Sequence, residues 1–371
     1  MAAPLKEGLN QAAVARLAKN LARSWPPFET KRFVRKVVPG LGSLELKERV
    51  AHVADTLARF LPDDYLEALG VLTRTKDTWD PGNESDPLRG FTAWPLFHFI
   101  ETRGTEYFAE SMEALRVLTP LFTAEFAVRP FVEKHRKRSL RLMTKWARDK
   151  DKDVRRLASE GTRPRLPWAT KIQALIDEPS AAIPILEQLK DDPEEYVRRS
   201  VSNHLSDIAK SDPDLVIDLC TTWLDESPSK ERRWIVERAT RTLVKQGHPR
   251  VWGLLGYEKS PKLAPVELKL RSRTLKMGAQ LQLSFELSSA SKKTQRLVVD
   301  YAVHFMKSDG NLRPKVFKLK SITLRPGETM KLNKAHRITP ISTRKYYPGR
   351  HLVEVTANGV SLGSVHFDLK T

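Results

Sequence analysis

Apolar side chains recur at helical spacing up to about Gly256 and at every second position from about Val266 onward. In the first stretch Leu9, Ala13, Leu17 and Leu21 line one face of a helix that Trp25-Pro26-Pro27 ends. Residues 44–61 form a second amphipathic run closed by Pro62, and Pro81-Gly82-Asn83 with Asp86-Pro87 marks a loop. Further helices are expected over 106–118, 123–128 and 131–149. In the second stretch 266–270, 281–287, 297–306, 316–324, 352–355 and 361–369 read as strands. Turn signals separate them: Ser308-Asp309-Gly310-Asn311, Arg325-Pro326-Gly327-Glu328, Tyr347-Pro348-Gly349 and Asn358-Gly359. Such a series of short strands fits an immunoglobulin-like sandwich.

The helical part repeats itself. Asp153-Val154-Arg155-Arg156-Leu157-Ala158-Ser159-Glu160 parallels Tyr196-Val197-Arg198-Arg199-Ser200-Val201-Ser202-Asn203, and a looser copy begins at Trp234-Ile235-Val236-Glu237. The offsets are 43 and 38 residues. A period of about 40 residues is that of HEAT and armadillo arrays, whose units complete their core only by stacking and leave a concave face. The chain is therefore expected to be mostly α. A HEAT-like helical-repeat solenoid covers 1–258 and an all-β immunoglobulin-like sandwich covers 259–371.

Each repeat presents a polar face. Val197, Val201, Leu205 and Ile208 share one side of their helix, and Arg199, Asn203 and Asp207 form a stripe on the other. In the earlier copy Val154, Leu157 and Ala158 are the apolar side, with Arg156 and Glu160 pointing away. Thr162-Arg163-Pro164-Arg165-Leu166-Pro167-Trp168 follows as an inter-helix loop whose arginines, held by prolines, suit phosphate contacts. By residue type alone Trp168 is expected to pack into the core. Glu125 lies four residues before Arg129, an i,i+4 partner, and Pro130 is expected to break the helix there.

Charge changes the picture most in the last third. From Pro261 on there are 21 Lys+Arg against 7 Asp+Glu, whereas the first 260 residues hold 43 against 38. That asymmetry points to a polyanion partner, either nucleic acid or an anionic membrane surface. No run of 18 apolar residues and no basic-then-apolar leader is present, so neither a membrane span nor a secretory signal is expected. The single cysteine, Cys220, is expected as a buried small hydrophobe, so the sandwich lacks an inter-sheet disulfide; no Cys/His cluster has zinc spacing. A reducing cytoplasm fits this usage.

Three segments together resemble the AlkC-type DNA alkylation-repair glycosylases, which are related to the AlkD type. They are Glu125-Phe126-Ala127-Val128-Arg129-Pro130-Phe131, Arg155-Arg156 through Trp168, and Tyr196 through Asp207. The basic sandwich is similar to the C-terminal domain carried by some members. The resemblance implies a solenoid that cradles duplex DNA and hydrolyses the N-glycosidic bond of 3-methyladenine or 3-methylcytosine, with no cofactor and no metal. It makes Asp207, Glu125, Trp168 and Glu160 the catalytic candidates, and Arg156, Arg163 and Arg165 the DNA contacts, with Arg199 and Asn203 on the same polar side. It also implies action on a base that stays stacked. No lysine stands out as a Schiff-base nucleophile, so a monofunctional enzyme is expected.

In this reading the sandwich closes a clamp on the phosphate backbone through Lys292, Lys293, Arg296, Arg313, Lys315, Arg344 and Lys345, and removing residues after about Pro261 weakens DNA binding while the catalytic carboxylates stay in place. The partner is duplex DNA containing alkylated bases, engaged by a monomer without a membrane, in the cytoplasm at the nucleoid. The alternatives are a non-enzymatic helical-repeat adaptor for DNA or an acidic protein, and a membrane-surface adaptor.

Overall fold

The computed structural model describes residues 4–341 and 344–370. Fifteen α-helices precede the strands among the described residues. They are α1 (Gln11–Ser24), α2 (Thr30–Val37), α3 (Leu46–Leu57), α4 (Tyr65–Arg74), α5 (Trp94–Arg103), α6 (Phe108–Leu118), α7 (Arg129–Lys134), α8 (Arg136–Trp146), α9 (Lys152–Glu160), α10 (Gln173–Asp177), α11 (Ile183–Leu189), α12 (Glu195–Ile208), α13 (Pro213–Glu226), α14 (Lys230–Lys245) and α15 (Pro249–Leu254). The chain forms two compact units. Residues 1–212 with 230–235 make the first; 213–229 with 236–371 make the second.

Local chemistry sets the helix starts. Asn10 caps α1 by accepting from Ala13 N at 3.0 Å, and Leu9, Ala13, Leu17 and Leu21 are all buried as their spacing predicts. Glu45 and Glu48 form a reciprocal capping box on α3. Two expected helices differ. The stretch 131–149 is interrupted at His135, whose non-helical backbone (φ −129°, ψ 44°) separates α7 from α8, and Ser139 Oγ donates to the Phe131 carbonyl across the break. The stretch 123–128 is a turn rather than a helix, and Pro130 opens α7 instead of ending a helix, since a first-turn proline forfeits no helical hydrogen bond.

In the first unit the repeats stack as two layers. α9 packs on α12, α8 on α11, and each of α8 and α11 also packs on α9. Val154, Leu157 and Ala158 of α9 and Val197, Val201, Leu205 and Ile208 of α12 are buried. This is the stacked helical-repeat arrangement expected from the 43-residue offset.

The second unit holds the sandwich. Its strands are β1 (Lys269–Leu270), β2 (Thr274–Lys276), β3 (Gln280–Ser288), β4 (Gln295–Met306), β5 (Leu312–Leu324), β6 (Thr329–Arg337), β7 (Gly349–Ala357) and β8 (Val360–Lys370). One sheet runs β1-β3-β6 and the other β2-β8-β7-β4-β5. Phe285, Leu297, Val299, Tyr301, Val303, Phe305, Val355 and Phe367 form its core. Alternation missed β6, where Leu332 alone is buried: an edge strand with one open face carries little apolar signal.

The other side of β4 is covered too, because Val298, Asp300 and Ala302 are buried. Cover comes from within the second unit. Asn358 Oδ1 accepts from Val298 N at 2.7 Å, and its amide donates to the carbonyls of Glu258 and Arg296. Gly247 and Gly359 both have positive φ, and a Cβ on Gly359 would meet Gly247 Cα at 2.9 Å and the Trp252 ring at 3.3 Å. The loop after α14 and helix α15 are thus seated on the β7–β8 turn. Cys220 is buried, as expected.

Candidate active site

The site grows from the polar side of the two parallel helices α9 and α12. Asp151 caps α9, accepting from Asp153 N at 2.8 Å, and the helix phase brings Arg156 and Glu160 to one edge. On α12 the same phase places Ser200, His204 and Asp207 against α9, all buried. His204 Nδ1 lies 3.0 Å from the Ser159 carbonyl, and burial pushes the imidazole down to about 3, so it is neutral and donates this bond.

Glu125, Glu160 and Asp207, far apart in sequence, are linked by two arginines. Arg156 Nη1 lies 2.5 Å from Glu125 Oε2, and its Nη2 3.6 Å from Glu160 Oε1. Arg163 Nη1 lies 2.6 Å from that same Glu160 oxygen, and its Nε 2.9 Å from Asp207 Oδ2. Burial alone would lower both guanidinium pKa values, yet the carboxylates raise them above the ordinary arginine value. Most remaining oxygens are claimed. Ser200 donates to Glu160 Oε2 at 2.6 Å and Lys210 to Asp207 Oδ1 at 2.8 Å, while Thr123 donates to the same Glu125 Oε2 that Arg156 holds. Glu125 Oε1 accepts no hydrogen bond among the described residues.

Trp168 departs from the core packing expected of its residue type. It is 57% exposed and has a left-handed backbone, φ 66°. Several carbonyls of its loop are bound by cations from elsewhere in the first unit. Lys47 donates to the Trp168 carbonyl. Arg129 donates to Thr170 O at 3.1 and 2.5 Å, to Arg163 O at 2.9 Å and to Gly161 O at 3.4 Å. The expected Arg129–Glu125 pair does not form, because Arg129 turns to the loop while Glu125 turns to Arg156. Burial lowers Arg129 to about 10, so it remains a cation at neutral pH.

The structure joins Glu125, Glu160 and Asp207 in one chain of ion pairs, places Trp168 on the loop that follows Arg163, and redistributes the arginines. Arg163 is buried and Arg156 half-buried, both held by the carboxylate chain rather than open to a phosphate. Arg165 is half-buried and donates to the Asp207 carbonyl and to Ser211 Oγ. Arg199 is exposed and paired with Glu195, and Asn203 is half-buried. Sequence reasoning missed Tyr196, over whose ring Arg156 sits at 5.0 Å, and also Thr123, Ser200, Lys210 and Lys47. Tyr196 had a visible signal, standing directly before the Val-Arg-Arg copy; Lys47 had none.

In the second unit the expected basic cluster divides. Lys292 and Lys293 are exposed in the β3–β4 loop, with Arg296 following on β4 and lying over Tyr257 at 5.0 Å. Arg313 pairs across β4 with Phe305, and Arg344 stacks on the same Phe305 at 4.4 Å. Lys315 faces Val303 in the register, and Lys345 lies over Tyr347. The nine-residue step from Arg296 to Phe305 along β4 separates the two groups by about 30 Å, so the seven cations do not form one patch.

A family model described as DNA alkylation repair enzyme matches residues 122–243, and one described as the C-terminal Ig-like domain of the uncharacterised protein YhaZ matches 265–371. Uncharacterized protein YhaZ of Bacillus subtilis (strain 168) is 34% identical over 368 residues, 99% of each chain. A solved structure of Pseudomonas fluorescens alkylpurine DNA glycosylase AlkC, bound to DNA containing an abasic site analog, is 36% identical, covers 100% of both chains and has a TM-score of 0.88. The segments that carry the carboxylate chain and the Trp168 loop lie inside the matched repair region, and chain and relatives correspond from end to end. The chain belongs to the AlkC-type family of DNA alkylation-repair enzymes.

Proposed function

We propose that this DNA glycosylase hydrolyses the N-glycosidic bond of cationic alkylated bases, 3-methyladenine and 3-methylcytosine, in duplex DNA, acting as a monomer without extruding the base. The observation that carries this reading is the chain Glu125–Arg156–Glu160–Arg163–Asp207 fixed beside a loop that turns an indole outward. An N3-methylated base already bears positive charge. When the bond to C1′ breaks, its electron pair neutralises the base and leaves the positive charge on the sugar. A nearby carboxylate stabilises that cation and orients the water whose oxygen adds to C1′ and whose proton the carboxylate takes.

Glu125 suits the water because Oε1 is unclaimed. Asp207 suits the sugar cation once a phosphate draws away the half-exposed Lys210, the partner on its outer oxygen. Arg156 and Arg163 fix the carboxylates, and Arg165 and Arg199 are the phosphate contacts. The Trp168 face stabilises the cationic nucleotide by roughly 0.5–2 kcal/mol. No step needs a lysine nucleophile, so the product is an abasic site in an intact strand.

The test is chromatography of bases released from methylated duplex DNA. Release of 3-methyladenine and 3-methylcytosine without 7-methylguanine supports the reading. Salt-sensitive DNA binding by the folded protein with no base released overturns it.

A further inference from the structure

The Trp168 loop is held by two cations that have no part in the chemistry above. Arg129 is one of the largest fully buried side chains, and its three nitrogens donate only to loop carbonyls. They grip Gly161 and Arg163 at one end of the loop and Thr170 at the other. Lys47, from the start of α3, grips the carbonyl of Trp168 itself. Arg163 is the junction: its carbonyl is bound to Arg129, while its guanidinium binds Glu160 and Asp207. Backbone at φ 66° is unfavourable for a tryptophan, and nothing in the indole's own packing compensates, since the ring is largely in solvent. Beside the loop lies a cavity of about 180 Å³ lined by Lys47, Trp94, Phe126, Arg129 and Trp168. Space there would let the indole fold inward if the carbonyls were released, as an apolar ring does when unconstrained.

We propose that Arg129 and Lys47 are positioning residues that hold the Trp168 indole outward and in register with the carboxylate chain. This rests on Trp168 being the residue that meets the damaged nucleotide. Neither cation touches DNA in this scheme; each acts through the loop backbone. A lysine at 129 keeps the charge but loses the planar fork that spans both ends of the loop.

The experiment uses the full chain labelled with 5-fluorotryptophan, its eight indoles giving separate ¹⁹F signals and Trp168→Phe assigning one of them. In Lys47→Met and Arg129→Lys the Trp168 signal shifts while the others stay. Single-turnover release of 3-methyladenine from methylated duplex falls about tenfold in Lys47→Met, as expected for a displaced group, with DNA affinity changed less than about twofold. Combined with Trp168→Ala, Lys47→Met adds no further loss. Lys47 is exposed, so its variant folds even where Arg129→Lys does not. An unmoved Trp168 signal in both variants, or losses that multiply with that of Trp168→Ala, overturns the proposal. Wild-type release by Trp168→Ala would instead sink the catalytic reading of the indole, while the ¹⁹F shifts still report whether the two cations hold it.

Discussion

Arg163 Nε lies 2.9 Å from Asp207 Oδ2, and both side chains are almost wholly buried. Replacing Asp207 by asparagine keeps the shape but leaves the guanidinium with one carboxylate instead of two. Base release should fall at least about 100-fold, the scale of losing one preorganised electrostatic contact. Stability should drop by about 1–3 kcal/mol. Chromatography and urea unfolding measure the two effects, and wild-type release rates would remove Asp207 from the chemistry.

Trp168→Gly should separate activity from stability. Glycine takes the left-handed backbone at no steric cost, so the fold should gain up to about 1 kcal/mol. Loss of the indole should slow release by roughly 2- to 30-fold, the kinetic equivalent of a cation–π contact. A variant that is both less stable and fully active contradicts this assignment.

Asp300 gives a pH test. Burial raises its pKa to about 6 from 3.8, with Lys318 and Lys245 only partly opposing. The folded state holds this proton more tightly than the unfolded chain. Its favourable contribution is therefore complete below pH 3.8 and is lost as pH rises through 6. The two-unit gap sets a ceiling of about 3 kcal/mol at neutral pH. Asp300→Asn should be more stable than wild type at pH 7.5, and the advantage should vanish near pH 4. Urea midpoints that differ equally at both pH values would refute it.

Truncation after Pro261 is not a clean way to remove the sandwich. It takes away Asn358, which holds the Glu258 carbonyl, and Gly359, which lies against Trp252. Uncovering a buried tryptophan and freeing that carbonyl should cost the fragment about 3 kcal/mol or more. Residues 1–260 should thus melt well below the full chain. Alanine substitutions within one basic group at a time, read as salt slopes of DNA affinity, test the phosphate contacts without that damage; each lost contact should reduce the slope by about 0.9.

Periodicity located what local pattern decides. The α9 and α12 faces, with Arg156, Glu160 and Asp207 on the polar side, were legible because 3.6-residue spacing and a 43-residue offset are properties of the sequence. The break at His135 and the turn at 123–128 were not, because Ser139 and Pro130 act there through backbone groups rather than apolar spacing. Trp168 was read wrongly by type; its loop carbonyls are bound by Lys47, 121 residues earlier, and by Arg129, the contacts that we propose hold it outward. Partners joined only by tertiary structure leave no mark on local composition.

The alternating charges from Glu125 to Asp207 also bear on how this site can drift in evolution. Each inner member balances two neighbours, so a lone change at any link leaves a largely buried chain of charges unbalanced and costs stability. Viable paths to a new arrangement run through paired replacements of linked members, made at positions up to 44 residues apart. The constellation should therefore be inherited as a block, and a descendant that has lost one member should have lost, or exchanged, its neighbour too.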